Sequence, residues 1–214
     1  MMIWVNGCEW QWKNSMVESV KKPWGYEYLL YKNDNVAIWH LFINSYQKTS
    51  LHSHPNKKTG LVILDGAAKV SFLGSDHKLF HGEKIMIRHG VFHQTKSMTP
   101  HLLQLLEIET PVDKEDIVRL EDSYGRAGST KMGEEGVDIT PLDMKGDFIG
   151  MSYVWFTELT KNLDFDNFMI TNGSISYEGN SVAGPGDIIS YDNMRRLLEK
   201  FEISEKVEGL AITC

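Results

Sequence analysis

Between residues 35 and 110 the chain is a succession of short apolar or alternating runs: "NVAIWHLFI", "GLVIL", "AKVSFL", "EKIMI" and "HLLQLLEIET". The polar and glycine-containing breaks "LDG", "LGSDH" and "RHG" separate them, and such breaks supply the turns that hairpins need. Many short strands at close spacing predict a barrel or sandwich. No helical period lies between these runs, which excludes an alternating β-α-β fold. After "EIETPVD" the spacing of Ile117, Leu120 and Tyr124 predicts one short helix, and residues 127 to about 150 read as a connection. Strand patterning returns from residue 168 in "FMITNGSISYEG", "GDIISY" and "VEGLAITC". Between the last two, "NMRRLLEKF" places Met194, Leu197, Leu198 and Phe201 on one helix face. A faint repeat links "LDGAAKVSF…GEKIMI" with "TNGSISYEG…GDIIS", which suggests two related β units, the second shortened.

The 214 residues carry a formal charge of -7, and 42% hydrophobic with 24% charged residues describes an ordinary globular chain. The acidic balance argues against non-specific binding to nucleic acid or an anionic membrane, so an anionic small molecule needs a local cluster of Lys and Arg. Cys8 and Cys214 lie at opposite ends and make no disulfide framework. With no signal-like N-terminus and no apolar run of membrane-spanning length, the expected location is cytoplasmic.

All eight histidines lie between residues 40 and 101, so any metal site belongs to the first β unit. His52 and His54 are two apart, which puts both on one face of a strand. His93 follows a strand and a turn at Gly90. Three imidazoles suit Zn, Fe, Ni or Cu better than Mg or Ca. His40, His77, His81 and His101 read as surface or core residues, and His89 is left open.

The stretch "LHSHPNKKTGLVILDG" with "GEKIMIRHGVFH" resembles the two cupin motifs, in which H-x-H, a glutamate and a later histidine meet inside a small jelly-roll barrel. The glutamate of that pattern falls on Thr59, and the proline of its second motif on Arg88. The flanking segments "KPWGYEYLL" and "EDIVRLEDSYGR" resemble the cupin isomerase domain of type II mannose-6-phosphate isomerases, the kind fused to mannose-1-phosphate guanylyltransferase. The resemblance covers about residues 21 to 126. It implies an all-β cupin barrel there; residues 1–20 read as an N-terminal arm. Outside the resemblance, the strand and glycine repeat, with no histidine after residue 101, predicts a degenerate cupin-like β unit without metal over 127–214, with a few short helices. The resemblance implies further that His52, which stands where a glutamine is common, joins His54 and His93 as metal ligands, and that Arg119 and Arg126 are anion-binding or catalytic groups.

The implied chemistry is isomerisation of a sugar phosphate such as mannose-6-phosphate, on the way to nucleotide sugars and polysaccharide. One divalent transition metal is expected, Zn first, with Mn, Fe or Ni as alternatives. Such a reaction moves a proton between adjacent carbons while an ion polarises the oxygens, and a basic group holds the phosphate. Lys57, Lys58, Arg88, Arg119 and Arg126 are the candidates, with Lys58, Arg119 and Arg126 taken into the catalytic set. Two other readings stay open: a three-histidine cupin dioxygenase, since those also lack the glutamate, and a non-catalytic sugar-binding cupin. Trp4, Trp10, Trp12 and Trp24 suit packing of the N-terminal arm, and with it a homodimer.

Overall fold

The computed structural model describes residues 2–5, 9–12, 19–127, 134–135, 139–193, 202–204 and 206–214, with 2–5, 9–12 and 134–135 described by their backbone alone. Its strands in the first part of the chain are β1 (Met2–Val5), β2 (Glu9–Trp12), β3 (Ser19–Lys22), β4 (Gly25–Lys32), β5 (Ala37–Ile43), β6 (Leu51–Ser53), β7 (Lys58–Asp65), β8 (Ala67–Phe72), β9 (Asp76–Phe80), β10 (Lys84–Ile87), β11 (His93–Ser97), β12 (Leu103–Thr110) and β13 (Val118–Glu121). The second part adds β14 (Glu134–Glu135), β15 (Asp147–Ile149), β16 (Ser152–Glu158), β17 (Asn167–Asn172), β18 (Ile175–Tyr177), β19 (Asn180–Ala183), β20 (Ile188–Ser190), β21 (Glu202–Ile203) and β22 (Glu208–Thr213). Among the described residues only Tyr191–Asn193 are helical. The rest of the helix expected from "NMRRLLEKF" lies outside the described residues. No described helix is long and apolar enough to cross a membrane.

Two sheets face each other to make the first unit. The larger runs β10-β7-β12-β5-β4-β3-β14 and the smaller β13-β6-β11-β8-β9. Every pairing within them is antiparallel. Because side chains alternate across a strand, β12 sends Leu103 and Leu105 into the space between these sheets, where they meet Trp39, Leu41, Leu61, Ile63, Ala68 and Val70. Leu106 and Ile108 point the other way. Gly66 closes the β7-β8 turn at a φ of 93°, a conformation that favours glycine.

The second unit repeats this order. Its large sheet, read from the edge, is β20-β17-β22-β16-β15, the counterpart of β10-β7-β12-β5-β4. Its small sheet, β19-β18-β21, matches β9-β8-β11. The turns match as well. Ile63 N–H bonds Glu83 O and Gly82 N–H bonds Ile63 O at 3.0 and 2.9 Å, while Ile170 with Asp187 and Gly186 with Ile170 do the same at 2.9 Å each. The sequence repeat is therefore a repeat of topology.

The two large sheets pack back to back. Val62, Leu64, Leu106 and Ile108 from the first meet Val154, Met169, Ile188, Leu210 and Ile212 from the second in one buried cluster. Gly60 allows the close approach, since a Cβ there would lie 2.6 Å from Ile188 Cδ1. His81 crosses the same boundary, its Nε2 3.0 Å from Ser152 Oγ. His40 is a core residue, with Nδ1 3.1 Å from Tyr28 Oη and its ring against Phe42. Burial holds it neutral, with its pKa lowered to about 3.

One expected element is corrected. Residues 118–121 form β13 instead of a helix, paired antiparallel to β6 with Arg119 opposite His52. The burial alternates as a strand requires: Val118 and Leu120 are exposed and Arg119 is buried. Pairing with β6 satisfies an edge that a helix at this place would leave open.

Candidate functional site

His52 and His54 extend from β6 and its following residue, and His93 opens β11 directly opposite His52. The three candidate ligand nitrogens lie within 4.8 Å of one another. Each ring is oriented from behind. Nδ1 of His52 lies 2.8 Å from Ser50 O, Nδ1 of His54 2.6 Å from Asp116 O and Nδ1 of His93 3.0 Å from Val91 O. A carbonyl only accepts, so each Nδ1 carries the proton and each Nε2 keeps its lone pair. His54 Nε2 is buried with no hydrogen-bond partner among the described residues.

Burial lowers the pKa of all three imidazoles, with their neighbours' charges adding to the effect. His52 falls well below the usual range, His54 falls to about 4 and His93 falls as well. Neutral rings with fixed tautomers and converging lone pairs are the donor set a transition-metal ion requires. The cluster could hold such an ion.

Thr59 does sit inside the barrel, on the same face of β7 as Leu61 and Ile63. Its Oγ1 is buried and makes no hydrogen bond among the described residues. Directly across on β12 stands Glu109. The carboxylate absent from β7 has a neighbour one strand away, and that neighbour is engaged: Glu109 Oε2 pairs with Lys57 Nζ at 2.6 Å, both side chains almost wholly buried. Trp39 Nε1 donates to Glu109 Oε1 at 3.3 Å. The Lys57 ammonium acts on His54 and His93, helping to keep them neutral.

A pocket opens beside the histidines, with about 640 Å³ of empty space continuous with solvent. Its walls include Trp24, Trp39, Glu27, Glu107, Arg119 and Arg126 along with His52 and His54. Glu107 is held largely protonated near neutrality. Burial is the main cause, followed by the charges of Glu109 and Glu27, and its pKa is raised to about 8. Arg126 reaches the pocket while tied to Asp122, with Nη2 2.8 Å and Nε 3.2 Å from that carboxylate. Asp122 also accepts the backbone N–H groups of Tyr124 and Arg126, at 3.2 and 2.6 Å, so the turn and the guanidinium are set by one side chain.

Of the expected site residues, the structure brings together His52, His54, His93, Arg119 and Arg126. Lys58 is on the opposite face of β7 and pairs with Asp187 of the second unit at 2.7 Å. Arg88 is exposed on the turn before Gly90, away from the pocket. Trp24 lines the pocket, whereas the side chains of Trp4, Trp10 and Trp12 lie outside the described residues. Glu107, Glu109 and Trp39 were not singled out from the sequence. "LLQLLEIET" does hold the signal, since a period of two puts Glu107 and Glu109 on the same face as Leu103 and Leu105.

A family model described as mannose-6-phosphate isomerase C-terminal matches residues 11–122. Among curated proteins, the mannose-1-phosphate guanylyltransferase ManC of Salmonella typhimurium is 25% identical over 116 residues, 53% of this chain and 24% of that protein. The mannose-1-phosphate guanylyltransferase of Escherichia coli is 27% identical over 109 residues, 50% of this chain and 23% of that one. The chain thus aligns with about a quarter of the length of these relatives. Among solved structures, the capsular polysaccharide assembling protein CapF of Staphylococcus aureus superposes with a TM-score of 0.46 at 14% identity, over 50% of this chain and 34% of that one. A sugar phosphate isomerase of the cupin superfamily from Silicibacter pomeroyi gives 0.38 at 17% identity, over 41% and 59%.

Proposed function

The chain belongs to the mannose-6-phosphate isomerase C-terminal family, whose model covers just over half of it, and on that premise we propose that it interconverts the aldose and ketose forms of a phosphorylated hexose resembling mannose-6-phosphate. The observation that carries this reading is a pocket whose walls join two members of the histidine cluster, His52 and His54, with a carboxyl group whose pKa is raised to about 8 and two guanidinium groups.

Each part has a task. His52, His54 and His93 would hold one divalent transition metal, which when bound polarises the sugar's carbonyl and hydroxyl oxygens. The ionised form of Glu107 takes the proton from the carbon beside the carbonyl and returns it to the former carbonyl carbon, while the hydroxyl proton passes to the other oxygen. A pKa of about 8 leaves both forms of the carboxyl accessible for exchange in both directions. Arg119 and Arg126 accept the phosphate through charge-assisted hydrogen bonds. Trp24 and Trp39 offer flat apolar walls to the sugar ring. Lys58, turned away toward Asp187, has no part in this arrangement.

A coupled assay of mannose-6-phosphate conversion on metal-loaded protein tests the proposal. Conversion should occur and should drop by about a hundredfold or more in Glu107→Gln, the usual scale for a lost acid-base group. Arg119→Ala should weaken binding of the phosphorylated sugar by about 1.5–3 kcal/mol and leave the unphosphorylated sugar unaffected. The dioxygenase reading keeps one observation in its favour, three imidazoles with no carboxylate among them. Oxygen uptake in the absence of any sugar conversion would replace the isomerase proposal with it.

A further inference from the structure

The outer face of the small sheet carries an arrangement that the barrel interior does not use. Lys48 bridges to Lys96, Lys96 stands opposite Lys69 on β8, and Lys69 stands opposite Lys78 on β9. Residues directly opposite in an antiparallel pair project to the same side. The strand neighbours Thr95, Ser97, Ala68, Val70 and Leu79 are buried, so the four lysines form one row on the outside. Neighbouring strands are about 4.8 Å apart, and like charges set directly opposite destabilise a sheet. Among the described residues one acid answers the row, Asp76, 3.0 Å from Lys69 Nζ.

Two ordinary explanations fail. The chain is acidic overall, so the row does not follow from a generally basic surface. Lysine guards edge strands against aggregation, which accounts for Lys78 on β9, but Lys69 and Lys96 belong to strands paired on both sides. The row also borders a concavity. Lys48, Lys69 and Lys96 share a groove with Tyr46, Gln94 and Ser123, all bearing groups that can donate hydrogen bonds. The loop carrying Lys48 is fixed in place, since Tyr124 Oη donates to Gln47 Oε1 at 2.7 Å and to Lys48 O at 3.2 Å.

We propose that this groove is a second binding site, separate from the barrel interior, for a small phosphate-bearing molecule. Its phosphate dianion rests on Lys48, Lys69 and Lys96, and its hydroxyl-bearing remainder lies toward Tyr46 and Ser123. Three ammonium groups in adjacent register suit a compact dianion as point charges, and the flanking amide and hydroxyls suit the polar part of a sugar or nucleoside. This inference stands independently of the isomerase reading, because the two sites lie on opposite faces of the small sheet.

The test is a titration of the full chain with inorganic pyrophosphate in phosphate-free buffer, followed by amide NMR shifts. Saturable shifts are expected at Lys48, Lys69, Gln94 and Lys96. The double variant Lys48→Gln/Lys96→Gln should lose affinity at least about tenfold, the scale of one charge-assisted contact. Asp76→Asn, which removes the competing carboxylate, should gain affinity. Arg119→Ala should leave these shifts unchanged, which separates the groove from the pocket. The proposal is overturned if no saturable shifts appear on this face, if the double variant binds as well as the parent, or if long-chain polyphosphate binds there while pyrophosphate does not.

Discussion

The two β units share a strand order, yet only the first has counterparts of β6 and β13 among the described residues. Those two strands bring His52, His54 and Arg119 to the barrel mouth. In the second unit the corresponding interior is filled with Phe165, Phe168, Ile170, Ile175 and Ile189. One unit gives up apolar packing to hold a histidine cluster and a buried ion pair, and the other keeps that packing and supplies a wall. On the proposed function, a shared topology divides labour, with the site on one side and support on the other.

Ending the chain after residue 127 should produce the largest effect. That truncation bares Val62, Leu64, Leu106 and Ile108 on the outer face of the large sheet, an apolar patch that a lone barrel cannot keep in water. The shortened protein should aggregate or lose its cooperative melt. A soluble, cooperatively folding product would show that the second unit is not needed as a wall.

Lys57 and Lys58 divide the units' roles within two adjacent residues. Lys57→Met leaves Glu109 buried and unpaired, which should cost about 3–5 kcal/mol in urea unfolding. Adding Glu109→Leu should recover much of that loss. If the single and double variants were equally destabilised, the charge left behind would not be the cause.

The pH dependence of stability should also originate in the first unit. In the metal-free protein His40 and the three clustered histidines are held neutral. As pH falls from about 6.5 toward 4, the unfolded chain takes up protons that the folded one refuses. Stability should fall over that window, each group adding up to about 1.4 kcal/mol per pH unit. Glu107 acts in the opposite direction. Its pKa rises from 4.5 to about 8 on folding, so its contribution is complete below pH 4.5 and is lost as pH rises through 8. Chemical denaturation across pH should show both effects. Glu107→Gln should abolish the fall in stability between about pH 6.5 and 8 and steepen the acid limb between about 4.5 and 6.5, where the two oppose each other.

How much of this the sequence disclosed depended on which faces of a strand are buried. The turn glycines and the same-face pair His52 and His54 follow from local patterns, and the place of Thr59 follows from the resemblance to the cupin motif. Glu107 and Glu109 were obscured because β12 is covered on both sides, so polarity does not alternate along "LLQLLEIET" and a carboxyl on the inner face resembles any strand glutamate. The spacing of Ile117, Leu120 and Tyr124 also fits a helix, which would carry Arg119 with it. The pairing of β13 with β6, a contact from far along the chain, decided against it. The Lys48-Lys96-Lys69-Lys78 row had no signature, since register across four segments brings these residues together and nothing in their spacing does.

Lys58→Ala should have the smallest effect. The Lys58–Asp187 pair is about one third exposed on both sides, so its loss should cost less than about 1 kcal/mol and leave sugar conversion intact. A large fall in conversion with unchanged stability would return Lys58 to the site.

The most direct measurement of the central claim is metal content after dialysis against Zn or Mn and gel filtration. The account predicts about one equivalent per chain, falling below a tenth in the His52→Ala/His54→Ala/His93→Ala variant while its far-UV circular dichroism stays that of a β protein. A parent protein that retains no metal, or a triple variant that retains as much as the parent, would contradict the assignment of the metal centre to the first unit.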